Sequence, residues 1–326
     1  MKRRDFLKLS LASTAVIACA TPLRAEDRPK EIRIGTQKGG FFPAVRARGT
    51  IENAFKADGI NVVWVDFQFG PPLLEAINVG SVDFGYVGDA PPIFAQAANA
   101  KIRYAAAVKQ NGSSQAIIVP KDSPIKTLAD LRGKKVAATK GTDPYLFLLR
   151  ALHTVGLKRA DIEHVSLQHA DGRVALEQGR VDAWAGLDPL MASAELNNGA
   201  RLLYRNVAFN TYGFLNVREE FLQQHPDEAR RVIGHYERAR KWILANPTEA
   251  ATILADEAKV DLTVALLQLK LRTDLSQPLP SQEHVKALQA AAPILLDEAL
   301  VKPGSDVRGA IDALVDTRFA AGLIQA

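Results

Sequence analysis

The residues best suited to chemistry lie in one short segment, Gly88-Asp89-Ala90-Pro91-Pro92, which follows an apolar run at 82–87. The apolar run predicts a buried strand that ends at Gly88. Asp89 has the side chain of a helix N-cap, and the prolines suit a first helical turn, where no backbone N–H is needed. A helix N-terminus presents free N–H groups and a partial positive charge. The segment therefore predicts a binding site for a small anion.

A similar construction occurs again later in the chain. Two pairs of strand-to-helix segments match in residue type and in order: 76–89 with 175–188, and 37–39 with 139–141. This duplication predicts two similar lobes, each of which contributes two loops to a shared cleft. The alternative is coincidence, because helix–glycine–strand sequences recur in many α/β proteins.

The four loops supply the candidate anion ligands, which are Gln37, Gly39, Gly40, Gly88, Asp89, Gly141, Thr142 and Asp188. The glycines let the backbone approach a ligand, and Thr142 adds a hydroxyl. Gln37 is interpreted either as a side-chain donor or as an ordinary surface amide. Asp89 is expected to cap its helix, and Asp188 either caps its helix or binds an amino group. Main-chain amides, rather than lysine or arginine, are expected to hold the anion.

Length and charge limit the class of protein. The 326 residues exceed the usual size of one hydrophobic core and favour two domains. The formal charge is +5, but residues 1–25 carry five basic side chains and one acidic one, so the rest carries about +1. This balance excludes nucleic acid as a partner. The six histidines show no metal-ligand spacing, and His169 with Asp171 is interpreted as a surface turn.

Residues 1–25 predict an export signal. The basic segment Lys2–Lys8 precedes an apolar stretch at 9–20 that is too short to span a bilayer as a mature helix. The Arg-Arg-x-Phe-Leu-Lys pattern is typical of a twin-arginine signal, and ordinary secretion is the alternative. Cys19, the only cysteine, lies in a segment that resembles a lipoprotein cleavage box, so lipid modification there stays open. The rest of the sequence has no thiol for disulfides, catalysis or metal binding.

Strand and helix patterns alternate as far as Val217, which predicts an α/β fold with parallel sheets. The remainder of the chain has helical patterns only and is expected to pack on the first lobe. The expected boundaries are 26–112 plus 214–326 for the first lobe and 113–213 for the second. The ligand cleft lies between the lobes. The chain crosses between them near 110–114 and 209–213, and these crossovers could absorb hinge rotation.

Several strings of residues carry a resemblance to a known family: Ile34-Gly35-x-Gln37-Lys38-Gly39, Gly88-Asp89-x-Pro91-Pro92-Ile93-Phe94-Ala95-Gln96, Lys121-x-Ser123-Pro124 and Val181-Asp182-Ala183-Trp184. Over residues 31–220 the chain resembles the aliphatic sulfonate binding proteins of ABC importers. The resemblance implies a type II periplasmic binding protein with two hinged lobes. Such a protein captures a sulfonate without a cofactor and delivers it to a membrane permease driven by a separate ATPase. We expect a periplasmic monomer.

The chain departs from this family where the organic part of a ligand would lie. Leu187 replaces the usual tryptophan, and the second-lobe loop continues as Thr142-Asp143-Pro144 instead of serine and a polar residue. Three aromatic residues could contact an alkyl or aryl tail and are explained at least as well as core residues: Phe41, Tyr145 and Trp184. Tyr212, near the second crossover, is expected either to contact the tail in the cleft or to pack at the hinge.

Other functions stay open on the sequence alone. Binders of taurine, nitrate and a thiamine pyrimidine precursor share the fold that the resemblance implies. A pyrimidine-precursor synthase of the same superfamily is the enzymatic alternative, but it needs a cysteine cluster that this chain lacks. A sensor or interaction domain that uses the same cleft is a third possibility.

Overall fold

A computed structural model describes residues 28–37, 42–109, 114–209, 212–276 and 278–324. The predicted signal segment with Cys19, the loop residues Gly39, Gly40 and Phe41, and the centre of each crossover lie outside the described residues. Within the part that is described, no helix combines the length and the apolar character needed to cross a membrane.

The strands form two five-stranded sheets. The first sheet contains β1 (Glu31–Gln37), β2 (Asn61–Phe67), β3 (Phe84–Gly88), β4 (Ile102–Lys109) and β10 (Tyr212–Arg218), in the order β2-β1-β3-β10-β4. The second contains β5 (Gln115–Val119), β6 (Lys135–Ala137), β7 (Glu163–Val165), β8 (Ala183–Leu187) and β9 (Arg201–Tyr204), in the order β7-β6-β8-β5-β9. The chain thus leaves the first sheet after β4 and returns to it with β10.

Both sheets are mixed, so the prediction of parallel sheets is wrong for two strands. β1 is parallel to β2 and β3, and β6 is parallel to β7 and β8. β10 is antiparallel to β3 and β4, and β5 is antiparallel to β8 and β9. Because β5 and β10 each enter their sheet directly from a crossover, no strand–helix–strand connection imposes the parallel direction on them.

Helices follow the carboxyl ends of the strands and fill the tail. The lobes contain α1 (Phe42–Ala47), α2 (Thr50–Lys56), α3 (Gly70–Asn78), α4 (Ala90–Ala97), α5 (Asp143–His153), α6 (His169–Glu177) and α7 (Leu190–Asn198). The tail contains α8 (Glu219–Gln224), α9 (Pro226–Ala245), α10 (Pro247–Ala258), α11 (Leu262–Leu267), α12 (Gln282–Gln289), α13 (Ala292–Asp297) and α14 (Val307–Leu314). The π-helical segment Gln268–Arg272 continues α11. In each lobe, helix N-termini therefore gather at one edge of the sheet.

The tail packs on both lobes, whereas the prediction named only the first. On the first lobe, Val232 and Tyr236 of α9 join the buried core around Ile34. On the second lobe, Nε2 of His153 lies 2.9 Å from Oε1 of Glu298, the residue that follows α13. Any rotation of one lobe against the other must break such contacts or carry the tail with it.

Candidate functional site

A cavity of about 340 Å³ lies between the two lobes, at the carboxyl ends of their sheets. The first lobe contributes Gln37 and Gly88 to its wall, the second contributes Thr142 and Asp188, and the tail contributes Gln268. Each of the four predicted loops thus places one predicted residue on this wall, whereas Asp89 does not line the cavity. The volume suits a small organic molecule.

Gly141 lies outside this cavity, although the sequence placed it in the site. It lines a separate groove of about 300 Å³ beside Pro71 and Lys140. Its φ is +79°, a backbone conformation that side chains with a Cβ rarely adopt. The turn before α5 therefore accounts for this glycine without any close approach of a ligand.

Both predicted side-chain donors already have partners inside the protein. Nε2 of Gln37 donates to the backbone oxygen of Tyr86 at 3.0 Å, and Oγ1 of Thr142 donates to the backbone oxygen of Thr139 at 2.6 Å. The amide of Gln37 carries a second hydrogen that a ligand could accept. The hydroxyl of Thr142 has used its single hydrogen, so it cannot donate to an anion as predicted.

Asp89 stands at the N-terminus of α4, but its side chain does not cap the helix, so that prediction is wrong. Its Oδ2 instead accepts a hydrogen bond from the backbone N–H of Tyr212, at 3.3 Å. The N–H of Ala90, in the first turn of α4, donates to Oδ1 of Asp143 at 2.7 Å. Since Asp143 begins α5, a carboxylate of the second lobe occupies the helix N-terminus of the first lobe.

Asp89 and Asp143 form a buried pair of carboxyl groups. Burial raises the pKa of Asp89 well above its usual value, and the charge of Asp143 raises it further. Burial also raises the pKa of Asp143, while hydrogen bonds from Asp89 and from the backbone of Ala90 act in the opposite direction. Two neighbouring carboxylates resist joint ionisation, so the pair as a whole binds a proton more tightly than a free carboxyl group does.

Asp188 caps α7 and belongs to a buried ion-pair network. Its Oδ1 accepts a hydrogen bond from the N–H of Ala192 at 3.0 Å, within the first turn of α7. Nη1 of Arg272 lies 3.1 and 3.3 Å from the two carboxylate oxygens, and Nη2 of Arg272 donates to Glu195. No sequence pattern pointed to Arg272, which lies far along the chain in a segment with only a helical pattern. The network ties the tail to the cavity wall.

Asp188 also makes stability depend on pH. Burial raises its pKa from 3.8 to about 7, although Arg272 opposes the shift. The folded form therefore binds this proton more tightly than the unfolded form does. The proton stabilises the folded form fully below about pH 4, and this stabilisation is lost as the pH rises towards 7. We expect the free energy of unfolding of Asp188→Asn to fall less steeply than that of the wild type over this range, by up to about 1.4 kcal/mol per pH unit. Urea denaturation at stepped pH measures both slopes, and equal slopes would contradict the assignment.

Three residues of α6 line the cavity and were not predicted to do so, namely His169, Ala170 and Arg173. Nη1 of Arg173 donates to Oγ of Ser193 at 3.0 Å. Nδ1 of His169 lies 3.2 Å from Oγ1 of Thr139, and burial lowers the pKa of His169 to about 4, so the ring is neutral at pH 7. The interpretation of His169 as part of a surface turn is wrong. Arg173 adds a cation that the expectation of main-chain amides alone did not include.

The three described aromatic candidates belong to the core. Trp184 and Tyr212 are fully buried, and Tyr145 packs in the core of the second lobe. The rings of Tyr212 and His284 stand 4.2 Å apart, which fixes Tyr212 inside the molecule. These three residues do not line the cavity, so the predicted tail contacts are wrong for them, and Phe41 lies outside the described residues. In the described part of the chain, no group of three histidine or acidic side chains could hold a metal ion.

Comparison with known proteins places the chain in a family. The profile of NMT1/THI5-like proteins matches residues 53–250, which is more than half of the chain. The chain belongs to the NMT1/THI5-like family. This NMT1/THI5-like chain is 34% identical to an Escherichia coli (strain K12) protein named as an aliphatic sulfonates-binding protein, over 94% of this chain and 95% of the relative. A Bacillus subtilis (strain 168) protein of the same name is 33% identical over 87% of this chain and 86% of the relative.

Solved structures of the family show the same architecture. The alkanesulfonate-binding protein SsuA from Xanthomonas axonopodis pv. citri, bound to MOPS, superposes with a TM-score of 0.79 at 32% identity, over 89% of this NMT1/THI5-like chain and 99% of its own. The periplasmic aliphatic sulphonate binding protein SsuA from Escherichia coli gives a TM-score of 0.75 at 33% identity, over 86% and 91%. The prediction of a two-lobed α/β binding-protein fold with a helical tail is therefore confirmed.

Proposed function

We propose that this protein captures aliphatic sulfonates outside the cytoplasm, as the solute-binding component of an ABC importer. The observation that carries the proposal is the cavity between the lobes, whose wall combines helix N-termini with the guanidinium of Arg173. Relatives that match nearly the whole chain bear the name of sulfonate-binding proteins, which supports this choice among small anions.

The chemistry of the wall suits an amphiphilic anion. A sulfonate spreads one negative charge over three oxygens and needs donors from several directions. Arg173 and the second amide hydrogen of Gln37 supply donors, and each hydrogen bond to a charged group stabilises by about 1.5–3 kcal/mol. Leu187 and Leu190 give the same cavity an apolar part that an alkyl chain can contact. Nothing in this arrangement requires a bond to be made or broken, so we propose a binder rather than an enzyme.

Binding is coupled to closure of the two lobes. We propose lobes at 26–112 plus 214–326 and at 113–213, which follows the division of the strands between the two sheets except that β10 of the first sheet begins at Tyr212. A ligand in the cavity contacts both lobes only when they are closed, so it shifts the population towards the closed form. The crossovers near 110–114 and 209–213 would then act as the hinge.

We further propose that the protein works after export. Residues 1–25 would direct export as a twin-arginine-like signal peptide, with lipid attachment at Cys19 as the alternative to release into the periplasm. The mature monomer would pass its ligand to a membrane permease that a separate ATPase drives. The description of the Escherichia coli SsuA as periplasmic supports this location.

A thermal-shift screen tests the function. Alkyl, aryl and amino sulfonates, a sulfate ester, nitrate and thiamine precursors are each added to the purified protein. A sulfonate at about 100 times its Kd is expected to add roughly 2.7 kcal/mol to the free energy of unfolding, which raises the midpoint by several degrees. Stabilisation by nitrate or a thiamine precursor, without any by a sulfonate, would overturn the proposal. Chromatography and mass spectrometry of the recovered sulfonate would reveal any turnover.

A further inference from the structure

Asp143 holds the position that a ligand anion would take on the first lobe. Its Oδ1 accepts the N–H of Ala90 at 2.7 Å, which puts its carboxylate on the N-terminus of α4. The carboxylate also lies against Gly88, because a Cβ built on that glycine would come within 1.8 Å of Oδ2. Asp143 lines the ligand cavity as well. A carboxylate bound at this helix end excludes a second anion from it and repels one nearby.

The interior behind Asp143 offers no other position for an anion. The space shared there by Asp143, Asp89 and Arg150 measures about 10 Å³, no more than a single water molecule needs. The guanidinium of Arg150 lies 4.3 Å from the centre of the Phe209 ring, in a cation–π contact. Of the two acidic side chains only Asp143 lines the ligand cavity, so the negative charge of the pair acts on a ligand through Asp143.

A different part of the cavity wall offers a cation and a further acceptor. Nε of Arg173 is buried and, within the described part of the chain, has no hydrogen-bond partner, although Glu177 approaches it at 3.5 Å. Oε1 of Gln268 likewise has no hydrogen-bond partner among the described residues, and its side chain is more than nine-tenths buried. The cavity thus presents a charged donor at Arg173 and acceptors at Gln268 and Asp143.

We propose that Asp143 is a specificity-determining residue, which keeps the anionic group of the ligand away from α4 and selects sulfonates that carry a hydrogen-bond donor. This inference rests on the proposed function. The sulfonate group lies against Arg173, and the donor group at the other end of the ligand faces Asp143. A purely anionic alkanesulfonate lacks that donor and brings no positive charge to the Asp143 carboxylate, so it binds more weakly.

Titration calorimetry with two matched ligands tests this assignment. Taurine is ethanesulfonate with an ammonium group at the end away from the sulfonate, so the pair differs only in that group, which adds both a donor and a positive charge. The wild type is expected to bind taurine about tenfold more tightly than ethanesulfonate. In Asp143→Asn, which keeps an acceptor for Ala90 and removes the charge, the two affinities are expected to become about equal. Arg173→Gln should weaken both ligands by about tenfold or more and leave their ratio unchanged.

Asp171→Asn is the matched control, because it removes the same charge from an exposed position on α6 outside the cavity. Its ratio of affinities should equal that of the wild type. Asp143→Ser serves as a second variant, and the thermal midpoint without ligand shows that both variants fold. If sulfonates bind but the ratio is the same in the wild type and both Asp143 variants, the role of Asp143 is overturned and the proposed function stands. If no sulfonate binds the wild type, both fail.

Discussion

Replacing Gly88 with aspartate is expected to weaken sulfonate binding by about 100-fold or more, since two lost hydrogen bonds to a charged ligand together cost about 3 kcal/mol or more. A Cβ at position 88 would lie 1.8 Å from Oδ2 of Asp143, so the lobes could not reach their closed arrangement. The new carboxylate would also stand beside Asp89 and Asp143 and add like-charge repulsion. Titration calorimetry with a sulfonate identified in the thermal-shift screen measures the loss.

Three controls separate closure from folding in this experiment. Asn198→Asp adds the same charge at an exposed position of α7 and should leave the affinity unchanged. Gly88→Ala, which adds only the Cβ, should show a smaller loss than Gly88→Asp. Adding Asp143→Ala to Gly88→Ala removes the colliding carboxylate, and small-angle scattering should then show a return of the compact, ligand-closed form. Wild-type affinity in a folded Gly88→Asp protein would refute this site.

Replacing Arg272 with alanine is expected to lower the free energy of unfolding by about 3–5 kcal/mol, because it leaves buried carboxylates without their counter-charge. The side chains of Arg272 and Asp188 are 9% and 0% exposed, and their closest atoms are 3.1 Å apart. The effect should be largest above pH 7, where Asp188 is ionised, and should shrink at lower pH as Asp188 takes up a proton. Urea denaturation at pH 8 and pH 5 measures both values.

Arg46→Ala provides the comparison for a surface ion pair. Arg46 lies 2.9 Å from Asp66, but these side chains are 37% and 75% exposed, so the loss should be at most about 1 kcal/mol. A loss of the same small size in Arg272→Ala at pH 8 would show that the tail is not anchored to the second lobe through Asp188. The tail would then be free to follow the first lobe alone, as the sequence had suggested.

The Asp89–Asp143 pair and the Asp188 network each connect parts of the molecule that are far apart in the sequence. Asp143 meets Ala90 across the cleft, and Arg272 meets Asp188 from the tail. Both contacts place charge at the ligand cavity. The tail and the second lobe therefore both contribute to the wall of the cavity that we propose as the binding site.

The sequence by itself determined the elements and the edge at which they meet. An apolar run and its glycine end predicted β3, and the helical patterns after Val217 predicted the helical tail. Loops after neighbouring strands share one edge of a sheet, which brought Gln37 and Gly88 together, and the duplication added Asp188 from a second lobe before the structure was known. These features depend on contacts between residues that are close in the chain or repeat with a fixed period.

Only the tertiary structure decided which charges face each other. The pattern at Thr142-Asp143-Pro144 predicted a helix start, but it could not show that the Asp143 carboxylate reaches α4 of the other lobe. Nor could it show that β5 and β10 run antiparallel to their neighbours. Such features follow from the relative placement of two lobes and a tail, which is set by packing over the whole molecule. Local sequence patterns do not encode that placement, because they carry only the period and the ends of each element.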